Sequence, residues 1–100
     1  MVHKVELSEV AKTELKAIVD HISESNPSAA LRIFYLIRNR CASLDLLPDR
    51  GKAVKFEKQT FRHAYVKNYI IRYRVLEESV QILRIVDGRR DLSALWDDPI

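Results

Sequence analysis

The sequence predicts an α+β fold of order β-α-α-β-β-β, an antiparallel helix hairpin packed on one face of a small, mainly antiparallel sheet. Three observations predict it. Residues 68–91, NYIIRYRVLEESVQILRIVDGRRD, read as two consecutive strands joined by a tight loop. Two apolar stripes at helical spacing come before them, with almost no linker between, so the helices should pack as a hairpin. With 47% apolar residues, 2 Gly and 3 Pro, the 100-residue chain can form one core and is too small for two. Residues 1–100 are therefore expected to form a single domain.

Val2 to Leu7 alternates Val2, Lys4 and Glu6 against His3, Val5 and Leu7, the pattern of a short first strand. Ser8 stands at a helix N-cap position, with Glu9 in the first turn. Ala11, Leu15, Ile18, Val19 and Ile22 then form an apolar stripe, and that helix should end near Ser25. Asn26-Pro27 restarts the chain as an N-cap followed by a proline at the first helical position, where its missing N–H costs nothing. Ala30, Ile33, Phe34, Ile37, Cys41 and Leu44 form the second stripe, which Pro48 stops. Asp49 to Thr60 is irregular, with Gly51 in a turn and Ala53 to Phe56 a candidate short strand. Phe61 to Val66 reads as a strand that meets Asn68 through a tight turn at Lys67.

In the final hairpin, Tyr69, Ile71, Tyr73 and Val75 alternate with Ile70, Arg72 and Arg74. Ser79 to Asp87 is again rich in aliphatic and β-branched residues. The loop length decides which side chains share a face. A two-residue loop at Glu77 and Glu78 puts Arg84 beside Ile71 on the apolar face. A three-residue loop pairs Val75 with Ser79 and Ile71 with Leu83, which sends Arg84 across to join Arg72 and Arg74. Burying an unpaired arginine is costly, so the three-residue loop is expected. One sheet face is then core, and the other is open, with three arginines among Ile70, Ile82 and Val86.

Charge points to an acidic partner. Residues 1–49 hold 6 Lys/Arg and 7 Asp/Glu, whereas residues 50–100 hold 11 and 7. Residues 50–74 alone hold 8 basic residues against Glu57. Such a concentration suits nucleic acid or an acidic protein segment. Other classes find no support. Two glycines cannot build a phosphate loop, and His3, His21 and His63 lack metal-ligand spacing, so neither metal nor cofactor is expected. The single Cys41 excludes an internal disulfide and reads as a small buried helix residue. No apolar run approaches a membrane span, and the first residues lack a secretion signal's apolar core, so a cytoplasmic protein is expected. Arg89 and Arg90 can form local salt bridges with Asp87 and Asp91, or clamp a phosphate or carboxylate.

The segments LSEVAKTELKAIVDHI, NPSAALRI, LDLLPDRGK, RHAYVKNYIIRYRV and VQILRIVDGRRDLSAL, in this order and spacing, resemble the RelE/ParE superfamily of bacterial toxins from type II toxin–antitoxin pairs. The resemblance covers nearly the whole chain and implies the helix-hairpin fold derived above. It also implies a cognate, ParD-like antitoxin with an acidic-apolar tail, expected to order on the open sheet face. A homodimer through the same patch is the alternative. RelE-like members cut messenger RNA on the ribosome, using basic residues on the sheet, an arginine after the last strand and a C-terminal tyrosine. Arg90 falls where that arginine belongs. Trp96 stands in the tyrosine's place, Ile70 in that of a strand arginine, and Phe61 and His63 near two lysines. Indole cannot exchange the proton that a phenol can, so no catalytic residue is assigned.

ParE-like members, which the NYIIRYRV strand and arginine-rich turn resemble more closely, imply poisoning of DNA gyrase by binding. Where the family often has histidine, this chain has Asp87. The expected contact residues for target or antitoxin are Ile70, Arg72, Arg74, Arg84, Arg89, Arg90 and Trp96, with Trp96 equally suited to pinning the tail onto the fold. The alternatives are a RelE-like endonuclease, in which His63 is the one candidate base, and a non-toxic nucleic-acid-binding module.

Overall fold

Backbone polar groups leaving the first strand have to find partners at once, and Ser8 supplies them. In the computed structural model, which describes residues 4–45, 52–56 and 59–89, strand β1 (Lys4–Leu7) runs directly into helix α1 (Glu9–Ser23). Ser8 Oγ accepts a hydrogen bond from Ala11 N–H at 3.0 Å, which caps the helix. Helix α2 (Pro27–Ala42) starts in the same way, with Asn26 Oδ1 accepting from Ala29 N–H at 3.1 Å and Pro27 in the first turn. A short 3₁₀ turn (Ser43–Asp45) follows. Strands β2 (Lys52–Phe56), β3 (Gln59–Val66), β4 (Tyr69–Val75) and β5 (Ser79–Asp87) complete a five-stranded sheet of order β1-β5-β4-β3-β2. The expected β-α-α-β-β-β order is present, and the candidate strand at Ala53 to Phe56 forms an edge. Only β1 is parallel to its neighbour.

The helix hairpin covers one sheet face. Ala11, Ile37, Cys41 and Leu44 bury against Ala64, Val66, Tyr69, Ile71, Tyr73, Val80, Ile82 and Ile85, with Leu15, Ile18 and Ile33 packed around them. Ile37 and Leu44 are fully buried, each contributing about 1.5–3 kcal/mol by burial.

The hairpin register differs from expectation. Leu76 N–H donates to Ser79 C=O at 2.8 Å, closing a two-residue loop at Glu77 and Glu78. Val75 faces Val80 and Tyr73 faces Ile82, instead of Val75 facing Ser79. The register then shifts between Tyr73 and Arg72, so that Arg72 faces Arg84 and Ile71 faces Ile85, not Leu83. Leu83 is the extra residue of a β-bulge. The bulge removes the conflict that had favoured a longer loop. It flips the parity of β5 in mid-strand, so Val80 and Ile82 before it and Ile85 after it all reach the helix-covered core. Arg84 does land across from Arg72, but Ile82 belongs to the core and not to the opposite face.

The bulge lies where β1 runs out. The last β1 pair is Leu7 with Ile82. Beyond it, Ser8 N–H donates to Ile82 C=O at 2.8 Å and Ser8 Oγ donates to Leu83 C=O at 2.9 Å. Glu14, nearly two turns further along α1, takes over. Its Oε1 accepts from Ile85 N–H and from Arg84 Nε, both at 3.0 Å, and its Oε2 accepts from Arg84 Nη2 at 2.9 Å. A helix side chain thus stands in for the missing strand. Arg84 and Glu14 side chains are only 18% and 21% exposed, so this pair is better shielded than the helix-surface pairs such as Lys12–Glu9.

Replacing Glu14 with alanine takes from a shielded guanidinium and an edge N–H the acceptor they share. The expected loss is about 2–4 kcal/mol of unfolding free energy in urea titration. Glu14→Gln, which keeps an acceptor, should lose about half as much. Equal losses for the two variants would assign the effect to packing instead.

Candidate functional site

On the face opposite the helices, side chains from β3, β4 and β5 line up by register: His63 with Arg72, Arg72 with Arg84, Tyr65 with Ile70 and Ile70 with Val86. This is the face expected to be open. It is instead largely buried: Phe61, His63, Ile70 and Leu83 are each less than 9% exposed, and Arg72 is 0% exposed. Arg72 Nε donates to His63 Nε2 at 3.2 Å, and the guanidinium carbon lies 5.0 Å from the centre of the Phe61 ring. This is a shielded cation–π contact. The imidazole accepts at Nε2, so its neutral form carries the proton on Nδ1.

The seven expected contact residues therefore divide. Ile70 is buried, and its side chain closes over Gly88. Arg72 is buried as described. Arg74 is half-buried, with Nε donating to Gln81 Oε1 at 2.7 Å. Arg84 is held by Glu14. Arg90 and Trp96 lie outside the described residues. Arg89 alone of the described candidates is exposed, with 66% of its side chain accessible. The reason is economy of burial: arginines on a sheet face can spend their long stems on packing and their heads on internal partners.

Arg89 sits in the turn that follows β5. Asp87 Oδ1 accepts from Arg89 N–H at 2.9 Å and from its Nε at 3.1 Å, while Oδ2 accepts from Nη2 at 2.8 Å. The hydrogen bonds that Arg89 donates to the Asp87 carboxylate, and then the charge of that carboxylate, hold the guanidinium above its already high pKa. Next to this turn lies the β3–β4 turn, where Lys67 has a left-handed backbone (φ 53°). Gly88 N–H donates to Asn68 C=O at 2.6 Å and ties the two turns together.

Two exposed features were missed in the sequence. Tyr65, beside Ile70, is 52% exposed. On α2, Leu31, Tyr35 and Leu36 are 56%, 46% and 42% exposed, beside exposed Arg32 and Arg38. Helix α2 carries no acidic residue. The available signal was its run LRIFYLIR, which has more large apolar residues than one buried stripe can use. Cys41 is buried as expected, and burial pushes its thiol up to about 11. Among the described residues, no three His, Cys, Asp or Glu side chains are grouped to hold a metal, and no helix is long and apolar enough to cross a membrane.

Residues 5–92 match the family model for the ParE toxin of the type II toxin–antitoxin system parDE. "Toxin RelE1" of Caulobacter vibrioides (strain ATCC 19089 / CIP 103742 / CB 15) is 32% identical over 89 residues, covering 88% of this chain and 96% of that protein. A chain of the chromosomal ParDE toxin–antitoxin system from P. aeruginosa superposes with a TM-score of 0.72 at 23% identity, covering 86% of this chain and 96% of that one, and so shares the fold. The chain belongs to the ParE toxin family of type II toxin–antitoxin systems.

Two substitutions test the local chemistry. A Cβ at Gly88 would lie 2.9 Å from Asn68 O and 3.2 Å from Ile70 Cδ1. Gly88→Ala should therefore cost about 1–3 kcal/mol in urea unfolding, and an unchanged midpoint would mean that the two turns are not held together. The raised Cys41 thiol stabilises the fold below pH 9, and this contribution is lost as pH rises from 9 through about 11. The decline in stability over that window should be shallower in Cys41→Ala.

Proposed function

We propose that this ParE-family toxin arrests growth by binding DNA gyrase and stabilising its cleaved-DNA state, without chemistry of its own. The observation that supports this reading is the burial of the face opposite the helices. RNA cleavage by the RelE-like route needs proton-exchanging groups exposed on that face. There, His63 is 3% exposed with Nε2 engaged by Arg72, and the aliphatic Ile70 occupies the strand arginine's position. A binding mechanism makes no such demand.

The toxin–antitoxin family implies a neutralising partner, which we place on α2 and not on the sheet. Leu31 and Tyr35 lie one turn apart, Leu36 lies beside them, and Arg32 and Arg38 flank the patch. An amphipathic segment with carboxylates around an apolar stripe fits this surface in both hydrophobicity and charge.

One observation favours a second reading, ribosome-dependent messenger cleavage: the 32% identical relative bears the name RelE1. Purified gyrase separates the two. The chain should inhibit supercoiling and raise the yield of cleaved DNA while leaving messenger RNA intact in a translating extract. The reverse pattern overturns the gyrase reading, and Arg90 and His63 are then the first residues to substitute.

A further inference from the structure

The basic charge of the strand region is not spread evenly along the final hairpin. At the loop between β4 and β5 the exposed charges are Glu77 and Glu78. At the other end, exposed Lys67 and Arg89 lie in two turns joined by the Gly88–Asn68 hydrogen bond. Tyr65, two residues before Lys67, begins the row Tyr65–Ile70–Val86 that crosses β3, β4 and β5. Its ring packs edge-on against His63, with 6.4 Å between ring centres, and keeps 52% of its surface exposed. Arg89 is also held in place. Asp87 takes its backbone N–H, Nε and Nη2, which leaves the Nη1 side of the guanidinium pointing away from that carboxylate.

We propose that this end of the sheet is a contact site for single-stranded DNA, with Tyr65 as a stacking platform for a base and Lys67 and Arg89 as phosphate contacts. A nucleic acid strand suits the site better than an acidic protein segment does. Stacking a base requires one exposed ring, whereas seating a helix requires several apolar anchors in one patch. Here Tyr65 is the one large exposed apolar side chain among the described residues of β3, the β3–β4 turn and the β5 end, while the multi-anchor patch lies on α2. Exposed cations near an exposed ring form the combination by which proteins hold single strands without reading sequence. The charge gradient along the hairpin directs the strand to the Lys67 and Arg89 end and away from Glu77 and Glu78. The choice of DNA over RNA rests on the gyrase reading above, in which the toxin meets DNA opened by its target.

The test uses the whole purified chain and a fluorescent oligo-dT, titrated at several salt concentrations. The same lengths of oligo-U and of duplex DNA serve as parallel arms. Tyr65→Ala should lower affinity for oligo-dT about tenfold or more with the salt slope unchanged, and Tyr65→Phe should retain it. Lys67→Asn, which suits the left-handed backbone, and Arg89→Gln should each reduce the slope by about 0.7. Lys12→Gln on α1 should change neither. Circular dichroism on each variant separates lost contacts from lost folding.

Indifference of binding to all three positions overturns the site, as does duplex binding that is tighter and independent of Tyr65. A tenfold preference for oligo-U overturns the assignment to DNA. Displacement of the strand by an acidic peptide that needs Tyr65 moves the site to a protein partner and also counts against the proposal. Gyrase poisoning is scored separately on the same variants. Strand binding without any effect on gyrase refutes the target reading alone, and poisoning that survives loss of strand binding refutes the site alone.

Discussion

The Glu14 carboxylate holds together what the hydrophobic core alone would leave open. Strand β1 is four residues long and β5 is nine, so more than half of the β5 edge has no strand beside it among the described residues. An unpaired edge exposes backbone donors and invites association with other chains. Helix α1 lies along the gap. From it, Ser8 accounts for the Leu83 carbonyl and Glu14 for the Ile85 amide, while the same carboxylate neutralises Arg84. The first two turns of α1 thus close the sheet edge, fix the bulge and satisfy a charge that would otherwise oppose burial. The bulge in turn determines which β5 side chains enter the core, so the face on which Arg84 lies follows from this contact.

With the bulge in place, the two sheet faces are both largely occupied. The helix side is filled by aliphatic and tyrosine side chains. The other side is filled by Phe61, His63, Ile70, Arg72 and Leu83, a mixed layer in which a guanidinium packs between an aromatic ring and an imidazole. The contacts proposed above therefore lie at the periphery of the described structure, on α2 and around the Gly88 turn. The apolar, basic surface of α2 and the pair of turns around Gly88 differ in chemistry, so a protein partner and a nucleic acid partner need not compete for the same residues.

Element boundaries were legible because their signals are local. Ser8 and Asn26-Pro27 mark two caps, and the strands Tyr69–Val75 and Ser79–Asp87 appear at their expected limits. The register was not legible through loop length, since a bulge can restore parity inside a strand. Its trace was nonetheless present: the core residues Val80, Ile82 and Ile85 step by two and then by three. The site was less readable. Charge in the sequence says that arginines exist, but whether a guanidinium faces water depends on long-range partners. Glu14 lies 70 residues from Arg84, and no spacing rule connects them. Tyr65 was overlooked because strand periodicity assigns it to a face, and only packing decides that it stays exposed while Ile70 and His63 do not.

The central claim is that a side chain from α1 completes the hydrogen bonding of β5. Amide hydrogen exchange read by NMR tests it directly at one proton. The Ile85 amide should be protected to nearly the same degree as that of Ile71 on the neighbouring central strand, and Glu14→Ala should remove protection at Ile85 well before Ile71. Rapid exchange at Ile85 in the unaltered protein, or protection there that is indifferent to the loss of Glu14, would contradict the account.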